Sequence, residues 1–66
     1  MTGRIRHLRL DKGYGFITAK TGQVCFFNAA DCVGCAFDLL ALQARVEFDM
    51  VDMDKGLRAS HVVVIE

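Results

Sequence analysis

The sequence predicts an all-β fold, a small closed barrel of five short antiparallel strands with a long loop between strands 3 and 4. Three observations carry this. Glycines and short polar clusters divide the 66 residues into runs of strand length. Several of those runs alternate apolar and polar residues with the two-residue period of a strand. One long connection follows the third run, and the others are short. Closing such a sheet also removes the strand edges that a free five-stranded sheet would offer to aggregation.

Each strand has its own reason. Residues 4–10 alternate basic and apolar side chains, with Ile5 on one face and Arg4 and Arg6 on the other. Asp-Lys-Gly at 11–13 is a turn or bulge, and 14–18 is a second strand. Ala-Lys-Thr-Gly-Gln at 19–23 is a glycine-bearing hairpin loop, and 24–27 a third strand. Residues 45–51 form a fourth, in which Val46 and Phe48 alternate with Arg45, Glu47 and Asp49. After a turn at 52–56, residues 57–65 form a fifth, rich in β-branched side chains. Between 28 and 44 the alternation stops. Ala and Leu occur there in helical proportion but Gly34 interrupts them, which predicts a loop with one or two helical turns.

A chain of 66 residues is expected to form one domain (1–66), near the lower limit for folding without a disulfide or metal. No fully apolar run exceeds four residues, Val62–Ile65 being one, so no segment is long enough to span a membrane as a helix. The start has basic residues but no apolar stretch of signal-peptide length, and three cysteines suit a reducing compartment. Both predict a cytoplasmic protein. The formal net charge is zero, yet residues 1–30 carry five basic groups against Asp11 alone. Residues 31–66 carry three basic groups against seven acids, so the chain is split into halves of +4 and −4. One region is electropositive whatever the total.

Four of the six aromatic rings lie between residues 12 and 27. Tyr14 and Phe16 share one face of the second strand, while Gly13 and Gly15 join Ile17 on the inward face and let the strand bend. Two exposed rings beside Lys12 are costly unless something covers them. Flat rings flanked by cations form a surface on which unpaired bases stack, at about 1–3 kcal/mol per base and with little regard to sequence.

These residues resemble a known family. "GRIRHLRLDKGYGFIT" followed by "VCFFNA" is similar to the cold-shock domain, whose first strand carries Lys-Trp-Phe. Its second strand carries Lys-Gly-Phe-Gly-Phe-Ile and its third Val-Phe-Val-His-Phe. "ARVEF" and "KGLRASHV" continue the likeness, so that it covers nearly the whole chain. The resemblance implies an OB-like barrel that binds single-stranded RNA or DNA, with a possible nucleic-acid chaperone role. Its binding residues would be Arg6, His7, Lys12, Tyr14, Phe16, Phe27 and Phe37; from the charge distribution, Arg4, Arg6, Arg9, Lys12 and Lys20 would steer the phosphate backbone. Aligned by residue type, His7 stands for the family's Trp, Leu8 for the following Phe and Tyr14 for a Phe. Cys25, Phe27 and Asn28 then stand for Phe, His and Phe of the third strand, while Phe26 takes a valine position and turns inward. The platform would lack rings at Cys25 and Asn28, at a cost of about 2–4 kcal/mol if each counts as one base stack.

Each of these residues has a plainer use. Tyr14 and Phe16 would serve a dimer contact, His7 would be an ordinary surface histidine, and Phe27 would pack against the long loop. Arg6 and Lys12 would be solvated charges. A protein-interaction or homodimerisation module, built on Phe37, Leu39, Leu40 and Leu42, is therefore the alternative function. Cys32 and Cys35 have C-x-x-C spacing, but a zinc site needs four ligands and no second pair exists. Ser60 and His61 adjoin on a strand, where neighbours point to opposite faces, so no nucleophile–base pair is expected. The reading is a binding protein and not an enzyme, with no metal and no cofactor.

Overall fold

The computed structural model describes residues 1–34 and 36–65. Five strands, β1 (Thr2–Arg9), β2 (Tyr14–Ala19), β3 (Val24–Asn28), β4 (Arg45–Met53) and β5 (Gly56–Val64), close into a barrel in the order β1-β2-β3-β5-β4. Neighbours pair antiparallel except at the closure, where β3 meets β5 through one parallel pair, Phe26 with Arg58. The long connection contains two 3-10 turns, Ala29–Asp31 and Phe37–Leu39, and no α-helix among its described residues. Asp31 ties the first turn down. Its Oδ2 accepts from the Asn28 backbone N–H at 2.8 Å and from Arg58 Nη2 at 3.1 Å.

Two bulges set which side chains face out. Ile5 pairs with Ile17 and His7 with Phe16, leaving Arg6 as the extra residue on β1. Strict alternation would put His7 inside with Ile5; the bulge reverses the parity and sends it outward. On β5, His61 and Val62 together oppose Phe48, and His61 takes a left-handed backbone with φ 53°. The same distortion corrects the expectation for Ser60 and His61. Ser60 Oγ lies 2.9 Å from His61 Nδ1, because a bulge suspends the alternation that would have separated them. Asp49 Oδ2 reaches that same nitrogen at 3.1 Å. A nucleophilic relay needs the acid and the nucleophile on different ring nitrogens, so this exposed cluster is not one.

The core is the inward face of all five strands. Ile5, Ile17, Cys25, Phe27, Val46, Phe48, Ala59 and Val62 are buried, and Phe37 and Leu40 from the long connection seal it. No polar or charged side chain among the described residues is buried. Burial pushes the Cys25 thiol above its ordinary range, since the thiolate would lose its water. The expected apolar loop surface shrinks accordingly. Phe37 and Leu40 belong to the core, which leaves Leu39 and Leu42 exposed.

Gly13 and Gly15 have separate causes. Gly13 lies in the β1–β2 turn, not on an inward strand position, and its φ of 74° is one that other residues rarely adopt. At Gly15 the constraint is space. A Cβ there would lie 2.6 Å from the His7 carbonyl oxygen and 2.9 Å from the Phe27 ring. Gly15 is therefore the gap that the Phe27 ring fills. Gly15→Ala is expected to cost about 1–3 kcal/mol or more, because one obstacle is backbone and cannot rotate away. Urea unfolding measures it, and a loss below about 0.5 kcal/mol would contradict the packing.

Candidate nucleic-acid interface

The outward side of β1, β2 and β3 carries a cluster of rings. The β2–β3 register pairs Phe16 with Phe26 and Tyr14 with Asn28, so Phe26 stands beside the two β2 rings on their own face. Ring centroids are 5.6 Å apart for Tyr14 and Phe26, 5.7 Å for Phe16 and Phe26, and 6.0 Å for Tyr14 and Phe16. His7 joins across the β1–β2 pair at 6.2 Å from Phe16. Tyr14, Phe16 and Phe26 are half-buried by one another, and His7 is exposed. Mixed tilted and edge contacts at these distances are favourable for aromatic pairs.

Two expected site residues are corrected here. Phe27 is fully buried; it pairs with Gly15 on the inward face and packs on Phe37 at 5.8 Å. Phe37 is only 6% exposed in the same core. Neither offers a ring face to a base. Phe26, expected inside, stands instead on the outward face beside Tyr14 and Phe16. The same parity moves the third-strand alignment by one residue. Cys25 and Phe27 take the inward valine positions of Val-Phe-Val-His-Phe, Phe26 takes its first Phe, Asn28 its His and Ala29 its last Phe. The thin places of the platform are thus Asn28 and Ala29, and Cys25 is a core thiol. Filling Cys25 with Phe would crowd the core instead of rebuilding the surface. "VCFF" is apolar throughout and hides its own parity. Counting outward from the hairpin would have revealed it, because Thr18 pairs with Val24.

The expected cations divide. Arg6, at the bulge, and Lys12, in the β1–β2 turn, are both exposed beside the rings. Arg9 is engaged by Asp11, Nε to Oδ1 at 3.4 Å. That hydrogen bond lowers the Asp11 carboxyl below its ordinary range and raises the Arg9 guanidinium further. Arg4 Nη1 donates to the Gln43 carbonyl at 2.9 Å. Beyond Phe26 the surface continues into a groove of about 550 Å³ lined by Leu57, Arg58 and the β4–β5 turn. Among the described residues, no three His, Cys, Asp or Glu side chains converge as metal ligands. Cys35, half of the C-x-x-C pair, lies outside them. No helix among them is long and apolar enough to cross a membrane.

Comparison with known proteins agrees with this geometry. Residues 1–65 match the family model described as the 'Cold-shock' DNA-binding domain. A cold shock-like protein of Aquifex aeolicus is 39% identical over 64 residues, covering 96% of this chain and 91% of its own. One from Thermotoga maritima is 35% identical over 66 residues, the full length of both. The major cold shock protein CspA of Pseudomonas aeruginosa is 33% identical over 63 residues, 96% of this chain and 91% of its own. The closed five-stranded barrel, the outward rings of β1 to β3 and a match across almost the whole sequence lead to one conclusion: the chain belongs to the cold-shock domain family.

Proposed function

We propose that this protein binds single-stranded RNA or DNA, with little sequence preference, on the outward face of β1, β2 and β3. His7, Tyr14, Phe16 and Phe26 stack bases, and Arg6 and Lys12 attract the phosphates. The observation that carries the reading is the packing of Phe26 on β3 against Tyr14 and Phe16 on β2, with His7 of β1 beside Phe16, which makes three strands contribute to one ring surface. Stacking on ring faces does not discriminate strongly among bases, hence the low specificity. Holding strands unpaired without an energy source would make the protein a nucleic-acid chaperone. It is a binding protein in this reading, not an enzyme, and its free core thiol, Cys25, suits the reducing cytoplasm.

Titration of a labelled oligothymidine at several salt concentrations tests the electrostatic part. With Arg6 and Lys12 each meeting about one phosphate of a short strand on the rings, log affinity should fall with log salt at a slope of roughly −1.4. An affinity unchanged between low and physiological salt would remove the cations from the site.

A further inference from the structure

A second concentrated feature adjoins the rings. A groove of about 700 Å³ runs over β1, β2 and the start of β4. Arg4, Arg6, Lys20 and Arg45 line it with Thr18 and Gln43, and none of the described residues lining it is acidic. Distant parts of the chain supply these cations. Arg4 pairs with Thr18 on one side and Arg45 on the other, and the Lys20 backbone N–H is held by the Thr2 carbonyl at 2.9 Å. Glu47 pairs with Thr2 at the edge but does not line the groove.

Arg4 is braced for binding. Its bond to the Gln43 carbonyl uses one of five guanidinium N–H groups and holds the side chain in place. Gln43 is itself fixed, in a left-handed backbone at φ 72° with its N–H on the Ile5 carbonyl at 2.8 Å. A guanidinium already ordered loses less entropy when it meets an anion. Several like charges around one concavity also raise the local concentration of anions.

The groove continues the ring surface. Outward positions along β2 run Tyr14, Phe16, Thr18, about 6.6 Å apart, and Arg6 directly precedes His7. No ring lines the groove, so it offers charge and hydrogen bonds without stacking. We propose that it is a second binding segment, which holds the phosphodiester backbone of a single strand leaving the rings and takes no account of its bases. This rests on the stacking reading of the rings.

Three probes test it: an oligothymidine of about 4 nucleotides, one of about 10, and the short one extended to the same length with abasic sugar-phosphate units, at either end. For two added charge–phosphate contacts, both long probes should bind roughly tenfold tighter than the short one. Their salt slopes should steepen by about 0.7 per contact. In R4Q/K20Q that gain should vanish, whereas affinity for the short probe, held by the rings, should stay. Lys20→Gln alone, outside every strand, should reduce the gain even if Arg4→Gln lowers stability. A gain that requires bases overturns the proposal, as does one that survives Lys20→Gln and R4Q/K20Q in folded protein. Tighter binding of inorganic tripolyphosphate than of the long probes would also overturn it, making the groove a free-anion site. Failure of the ring reading looks different, since Phe16→Ala would then leave affinity for the short probe unchanged.

Discussion

Phe27→Ala is expected to lose about 3–5 kcal/mol of folding stability, the usual cost of emptying a buried Phe site. A domain of 66 residues has roughly 3–10 kcal/mol in total, so the variant should be largely unfolded or close to it. The site is poorly able to collapse. Phe27 fills the space above Gly15, which has no side chain to fill it, and supports Phe37, whose ring closes the core from the long connection. Removing it takes a packing partner from both. Chemical denaturation followed by circular dichroism gives the number directly. A loss below about 1 kcal/mol, with a cooperative transition retained, would mean that Phe27 is not where the barrel packs.

Phe16→Ala and Phe26→Ala should show the reverse balance. Each removes one stacking face and should weaken binding of an unstructured oligonucleotide by about 1–3 kcal/mol. Each should cost about 1 kcal/mol of stability, because the rings are cross-strand partners and half-cover one another. Phe16 touches His7, Tyr14 and Phe26, so its loss also loosens the remaining rings and should be the larger of the two. His7→Trp enlarges the β1 ring on an exposed position and should tighten binding while leaving the core alone. Fluorescence anisotropy at fixed salt, with unfolding measured on the same samples, separates the two quantities. If Phe26→Ala binds as well as the wild type while Phe27→Ala stays folded and binds weakly, the assignment of inward and outward faces on β3 is inverted.

The adjacency of Phe26 and Phe27 makes that contrast sharp. Neighbouring residues of one type on one strand serve opposite ends of the protein's physics, one holding the barrel together and the other lying on its surface. A one-residue slip of the β2–β3 pairing would exchange them. The register is held by the hairpin between the strands. There the Ala19 N–H donates to the Gln23 carbonyl at 2.7 Å, and Gly22 takes the φ of 94° that the turn requires.

Much of this protein is determined by its sequence alone. Alternation in 45–51 and the turn residues at 11–13, 19–23 and 52–56 delimit the strands to within one or two residues of where they lie. The outward rings at Tyr14 and Phe16 follow from local spacing as well, since a period of two needs only a few residues to declare itself. The facing of His7, Phe26 and Phe27 belongs to the tertiary structure. At His7 a bulge adds a residue that no local pattern marks. At "VCFF" every position is apolar, so only pairing with Gly15 and Phe16 on the neighbouring strand decides which ring goes inside. Phe37 and Leu40, apparently surface residues of a loop, are drawn into the core because the closed barrel leaves an end that only the long connection can cover. The basic groove likewise exists only after folding, because β1 brings Arg4 between Thr18 and Arg45, residues 14 and 41 positions away in the chain. Local sequence determines which residues can be strand, turn or ring; which face each presents depends on strand partners that local sequence does not contain.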